Sequence, residues 1–148
     1  MKVKIKKLIE SAIVPKKASE GAAAYDLYAP ATTIVKRGRG IIKLGFSIEM
    51  QPGYEAKIEP RSGYSSKGFE DKFARRRDAD VLVGKIDSDY RGEVGVIIRN
   101  NGSTFVIEKG QRIAQMTFYE VIGAEFDEVD ELTETERGEG GFGSTGIF

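Results

Sequence analysis

Residues 80–100 read DVLVGKIDSDYRGEVGVIIRN, two apolar flanks rich in Val and Ile on either side of the polar stretch DSDYRG. Flanks of this composition are strands, and a short Asp- and Gly-bearing stretch between them is a hairpin turn, here centred on GKIDSDYRGEVGV, residues 84–96. The same pattern extends outward. Toward the N-terminus lie YEAKIEP, IIKLGFSIEM and TTIVKRG, and before them Val3 and Ile5 alternate with Lys2, Lys4 and Lys6; toward the C-terminus lie STFVIEKG and RIAQMTFYEV. The alternation has the period of a half-buried strand. PATT, KRGRG, QPGY, NNGS and EKGQ supply the turns between them. Many short strands at regular spacing predict an all-β sandwich or barrel. One weak helical stripe appears at GFEDKFARRRDAD, residues 68–80, where Phe69 and Phe73 fall four apart.

The chain of 148 residues is one domain's worth, short enough that an extensive active site would borrow surface from a partner copy. Lys plus Arg equals Asp plus Glu at 23 each, so the overall balance argues for neither a nucleic acid nor a membrane as main partner. Cysteine and histidine are both absent, which excludes disulfides and thiolate metal sites and removes the usual general base. An enzyme with this composition would use a carboxylate base. No apolar run is long enough for a signal h-region or a membrane span, so the expectation is a soluble cytoplasmic protein.

After Tyr119 the character changes. YEVIGAEFDEVDELTETER carries eight acidic residues before Arg137, with Phe126, Val129 and Leu132 among them. It reads as a solvated linker or as a strap that docks on a neighbouring subunit. The predicted organisation is a β core over 1–119, an acidic strap over 120–136 and a glycine-rich arm over 137–148. In that arm, RGEGGFGSTGIF, glycines free the backbone to turn its N–H groups inward, Ser144 and Thr145 add hydroxyls, and Arg137 adds a fork of donors. This is anion-clamp chemistry without a Walker lysine. Phe142, a single aromatic among glycines, suits a lid over a flat ring. Within the core, Asp26 in AAAYDLYAP sits between apolar residues, Arg61, Ser62 and Gly63 in EPRSG form a polar turn, and Asp87 and Tyr90 share the hairpin mouth. Gln115 points away from Ala114, Met116 and Phe118 along its strand.

Taken in order, AAAYDLYA, EPRSG, GKIDSDYRGEVGV, GQRIAQM and RGEGGFGSTG resemble the five motifs of the homotrimeric dUTPases, and the resemblance covers nearly the whole chain. It implies an all-β, jelly-roll-like fold, a homotrimer with active sites at subunit interfaces, and a C-terminal arm that closes over the nucleotide. It implies Mg2+-dependent hydrolysis of dUTP to dUMP and pyrophosphate, which cleanses the nucleotide pool and supplies the dTMP precursor. By the resemblance, Asp87 is the general base for water attacking the α-phosphorus, and Tyr90 lies beneath the deoxyribose. Backbone groups near Gly84, Lys85 and Gly95 would read the uracil edge. Ser62 and Gly63 would hold the β-phosphate and leaving oxygen, with Arg61 and Gln115 in supporting phosphate contacts, while Arg137, Gly143, Ser144 and Thr145 would hold the γ-phosphate and Phe142 would stack on uracil. Magnesium would be held mainly by phosphates and water, with Asp26 acting through the hydration shell. Two departures stand out: Ala24 where the family usually has Gly, tolerable if the backbone keeps φ negative, and a surplus of residues between Gly63 and Asp87 containing Arg75, Arg76 and Arg77. These arginines could face phosphates, a partner or solvent. The alternatives are a dCTP deaminase, alone or bifunctional, and a nucleotide-switched protein-binding module.

Overall fold

The computed structural model describes residues 1–141. Strands β1 (Lys4–Lys7), β2 (Tyr25–Tyr28), β3 (Thr33–Val35), β4 (Gly38–Lys43), β5 (Phe46–Glu49) and β6 (Tyr54–Glu59) lead to one short helix, α1 (Ser62–Lys67). They are followed by β7 (Phe69–Glu70), β8 (Arg76–Arg77), β9 (Ala79–Leu82), β10 (Gly84–Ile86), β11 (Gly95–Asn100), β12 (Phe105–Ile107) and β13 (Arg112–Glu120). The fold is nearly all β, as the sequence predicts. A four-stranded antiparallel sheet has the order β10-β6-β13-β2, a three-stranded sheet the order β4-β11-β9, and β1-β5, β12-β3 and β7-β8 form pairs. Among the described residues no helix is long and apolar enough to cross a membrane.

One face of most strands fills a common core, β1 being exposed along its whole length. Val96, Ile98 and Asn100 of β11 point inward while Gly95, Ile97 and Arg99 are more accessible, and Ala56 and Ile58 do the same in β6. Leu27, Leu44, Phe46, Phe69, Ile107 and Ile113 are fully buried beside them. Each such side chain stabilises the fold by roughly 1.5–3 kcal/mol. Asn100 is the polar exception, and it is satisfied: Nδ2 donates to the carbonyls of Val35 and Ser103, and Oδ1 accepts from the Gly102 N–H.

Three local expectations change. The run IIKLGFSIEM is two strands, because Gly45, at φ +75°, turns the chain out of the β4–β11 sheet and into pairing with β1. The inner halves GKI and EVGV, directly beside DSDYRG, do not pair with each other. The ladder instead joins β9 to β11, Leu82 opposite Ile97, while β10 leaves to pair with β6, Gly84 opposite Ile58. Ile86 thereby reaches the core and Lys85 reaches Glu55, contacts that a tight hairpin would forfeit. Residues 68–80 are not helical. Phe69 is buried and Phe73 is 64% exposed, so the two do not share a face, and the segment folds back as the β7–β8 hairpin. The helix lies just before it, where Tyr64 packs on Phe69 with ring centroids 4.4 Å apart and donates its hydroxyl to the Arg112 carbonyl at 2.7 Å.

Candidate active site

The middle of the four-stranded sheet sets out a row of polar side chains. Gln115 of β13 stands opposite Asp26 of β2 on one side and Glu59 of β6 on the other. Directly paired residues share a sheet face, so the three point into one cleft, away from the core-facing Ala114 and Met116. This is the orientation expected for Gln115. The cleft, of about 510 Å³, is walled on a second side by Arg61, Ser62, Gly63, Tyr64 and Lys67 and on a third by Glu70 and Arg76.

Asp26 is buried and fully engaged. Its Oδ1 accepts from Arg61 Nε at 3.2 Å, its Oδ2 from Arg112 Nη1 at 3.3 Å, and its backbone N–H donates to the Lys16 carbonyl at 2.7 Å. A buried carboxylate needs such partners. The Arg61 guanidinium also lies 5.4 Å from the Tyr64 ring centroid, so its direction is fixed by charge on one side and by an aromatic face on the other. Ser62 and Gly63 are exposed at the start of α1, with Tyr64 and Ser65 N–H groups already spent on the Arg61 carbonyl. Ala24 lines the cleft without a positive φ, so its methyl is accommodated. Arg112 and Tyr64 are absent from the sequence reading. Arg112 lies inside GQRIAQM, but its partner is 86 residues away.

A second group of residues lies outside this cleft. Asp87 is exposed at the end of β10, and its carbonyl accepts the Tyr90 N–H at 3.1 Å to close a turn. Tyr90 donates its hydroxyl to the Glu93 carbonyl at 3.2 Å and remains 46% exposed. The ring lies against Gly92, where a Cβ would overlap the phenol. Gly95 opens β11 opposite Lys43, and a Cβ there would stand 2.6 Å from Ile41 Cγ2. Lys85 reaches Glu55 at 2.5 Å, with Lys57 on the other Glu55 oxygen at 3.3 Å. The Lys85 hydrogen bond lowers the Glu55 pKa against the opposing effect of burial, and the same bond raises that of Lys85.

The structure thus brings Asp26, Arg61, Ser62, Gly63 and Gln115 together, and sets Asp87 and Tyr90 on a separate exposed turn within the same chain. Gly84 and Gly95 lie on β10 and β11, in different sheets. Arg137 is exposed and donates from Nε to the Gly140 carbonyl at 2.8 Å. Phe142, Gly143, Ser144 and Thr145 lie outside the described residues.

A family model described as dUTPase matches residues 10–146. The chain belongs to the dUTPase family. Two sequence relatives named deoxyuridine 5'-triphosphate nucleotidohydrolase come from Nautilia profundicola and from Oryza sativa subsp. japonica. The first is 45% identical over 150 residues, covering 99% of each chain, and the second is 43% identical over 147 residues, covering 98% of this chain and 81% of the relative. Among solved structures, the Staphylococcus bacteriophage 80alpha dUTPase with dUpNHpp superposes with a TM-score of 0.87 at 27% identity over 99% of both chains. The dUTPase motifs of this chain divide accordingly. Three of them build the cleft between the sheet and α1, and the third motif stands apart on its turn.

Proposed function

We propose that this chain hydrolyses dUTP to dUMP and pyrophosphate as a homotrimer whose active sites are shared between subunits. The observation that carries the reading is the convergence of Arg61, Ser62, Gly63 and Gln115 on one cleft, with Arg61 aimed by Asp26. A cleft lined by a guanidinium, a hydroxyl and an amide suits an oligophosphate. Asp87 and Tyr90 lie outside it in the same chain, so a complete site needs the turn of another copy.

In this mechanism Asp87 accepts a proton from water as the water oxygen bonds to the α-phosphorus. The bond from that phosphorus to the bridging oxygen breaks, and pyrophosphate leaves with its electron pair. Arg61, Ser62, Gly63 and Gln115 hold the phosphate chain in line with the attack, which is most of what phosphoryl displacement asks of a protein. Tyr90 supports the deoxyribose and leaves no room for a 2′-hydroxyl, while backbone groups near Gly84, Lys85 and Gly95 read uracil. Arg137 with Gly143, Ser144 and Thr145 closes on the γ-phosphate, Phe142 covers the base, and the acidic strap over 120–136 carries this arm to its site. The Mg2+ that the reaction uses would be held chiefly by the phosphates and water. Each Asp26 oxygen accepts from an arginine, so the main task of Asp26 is to aim Arg61, and it acts on such an ion through the hydration shell. When bound, Mg2+ neutralises phosphate charge.

Incubating the purified protein with magnesium and, separately, dUTP, dCTP, dTTP and UTP tests the reading. Conversion of dUTP alone to dUMP and pyrophosphate supports it. Deamination of dCTP, or no turnover, overturns it.

A further inference from the structure

The surplus between Gly63 and Asp87 places one arginine where the phosphates would lie. In the β7–β8 hairpin, Phe69 pairs with Arg77 and Glu70 pairs with Arg76. Alternation therefore sends Phe69 and Arg77 to one face and Glu70 and Arg76 to the other. On the body-side face Phe69 is buried in the core, and Arg77 donates to Asp71 from Nε at 2.9 Å and from Nη2 at 2.6 Å. Arg75 donates to the same carboxylate, from its side chain at 2.9 Å and from its backbone at 3.0 Å. Two of the three consecutive arginines are thus consumed in holding the hairpin's shape. Only Arg76 lines the cleft that contains Arg61, Ser62, Gly63 and Gln115.

The hairpin is anchored well enough to present that side chain. The Lys72 N–H donates to the Val106 carbonyl at 2.8 Å, Gln111 Nε2 donates to the Glu70 carbonyl at 2.6 Å, and Arg76 Nη1 donates to the Gly68 carbonyl at 3.3 Å. Gly68 itself, at φ +81°, admits the Arg77 carbonyl so closely that a Cβ would stand 2.8 Å from its oxygen. Glu70 Oε1 holds Arg76 Nη2 at 2.8 Å, with both side chains partly open to solvent. Lys67 of α1 is exposed and lines the same cleft. A guanidinium has five donors in a fork, so Arg76 can keep Glu70 and still engage an anion.

We propose that Arg76 is a substrate-binding residue that engages the pyrophosphate end of the nucleotide, adding a cationic group from the hairpin to the cleft that Arg61 and Lys67 already line. The proposal rests on the assignment of this cleft to the phosphates. Arg76 then favours triphosphate over monophosphate, and the Asp71-centred hairpin is the support that keeps it aimed.

The test compares the full-length protein with Arg76→Ala and Arg76→Lys, measuring calorimetric affinity for dUpNHpp and for dUMP, and the thermal midpoint of each variant. The expected result is a loss of about tenfold in dUpNHpp affinity for the Ala variant, a substantial recovery in the Lys variant, and unchanged dUMP affinity. Wild-type affinity for dUpNHpp in the Ala variant overturns the proposal while leaving the hydrolase assignment intact. Equal losses for dUpNHpp and dUMP, or equal losses in the Ala and Lys variants, also overturn it, since a merely structural hairpin would behave so. A wild-type protein that binds dUpNHpp no better than dUMP removes the phosphate assignment itself, and the proposal with it.

Discussion

Asp26 Oδ1 lies 3.2 Å from Arg61 Nε, across a strand end from a side chain 35 residues away in sequence. That contact aims a half-buried guanidinium into the cleft. Asp26→Asn removes the charge that orients Arg61 and leaves Arg112 short of its partner. The expected outcome is a rise of about tenfold in KM for dUTP, with a smaller change in kcat, because the effect reaches the substrate through Arg61. Steady-state kinetics on a folded variant check it, and a loss confined to kcat would contradict the positioning role.

Asp87 is exposed on its turn and lends little to the packing. Asp87→Asn should therefore lower kcat by about 10²–10⁴-fold while dUpNHpp affinity and the thermal midpoint stay near wild type. Parallel loss of binding and stability would make Asp87 a structural residue instead.

A chain ending at Glu136 lacks the glycine-rich arm but keeps every strand of the described residues. Hydrolysis should collapse in this truncation with the unfolding temperature unchanged, and retained activity would return the arm to the status of a linker.

Asp71 is the buried centre of the inserted hairpin, and the balance at its carboxyl has two sides. Burial opposes ionisation, but hydrogen bonds from Arg77, from the backbone N–H groups of Arg75 and Phe73, and from the Arg75 side chain outweigh it and hold the pKa well below the usual carboxylate range. A depressed folded-state pKa stabilises the protein above the unfolded value near 3.9 and loses that contribution as the pH falls below it. Asp71→Asn should lower the thermal midpoint at pH 7, and the gap between variant and wild type should narrow progressively below about pH 4. A gap independent of pH would show that the charge is not what matters.

Ala74 sits at φ +57° in the turn of the same hairpin, the one non-glycine residue with positive φ among those described. Its N–H donates to the Asp71 carbonyl at 2.9 Å, which fixes the conformation. Replacement of Ala by Gly usually destabilises, but here it relieves an αL cost of about 1–2 kcal/mol. Ala74→Gly is expected to be neutral or to raise the thermal midpoint, and a clear drop would count against the turn geometry.

The legible part of this molecule is local. Alternation in RIAQMTF placed Gln115 opposite the core face, and the β-branched runs marked most strands. Strand breaks at Gly45 and Val83 were not legible, because the sequence is continuously strand-like through them and the sheet partner decides where the chain turns. The spacing of Phe69 and Phe73 misled for a similar reason: the hydrogen bonds collected by Asp71 impose a turn that periodicity does not register. Arg112 and Tyr64 escaped because their roles arise only when β13, β2 and α1 meet. The middle arginine of residues 75–77 became distinct from its neighbours only once the hairpin gave it a face.

Gly92 is where the Tyr90 ring rests, and even a methyl there would overlap the phenol. If Tyr90 is what excludes the 2′-hydroxyl, residue 92 governs the choice of sugar through the ring that rests on it. A side chain at that position would push the ring aside and admit ribonucleotides, so that one added methyl would turn a scavenger of stray deoxyuridine triphosphate into a drain on UTP. On that reading, the guard on the cell's RNA precursors is a missing carbon atom.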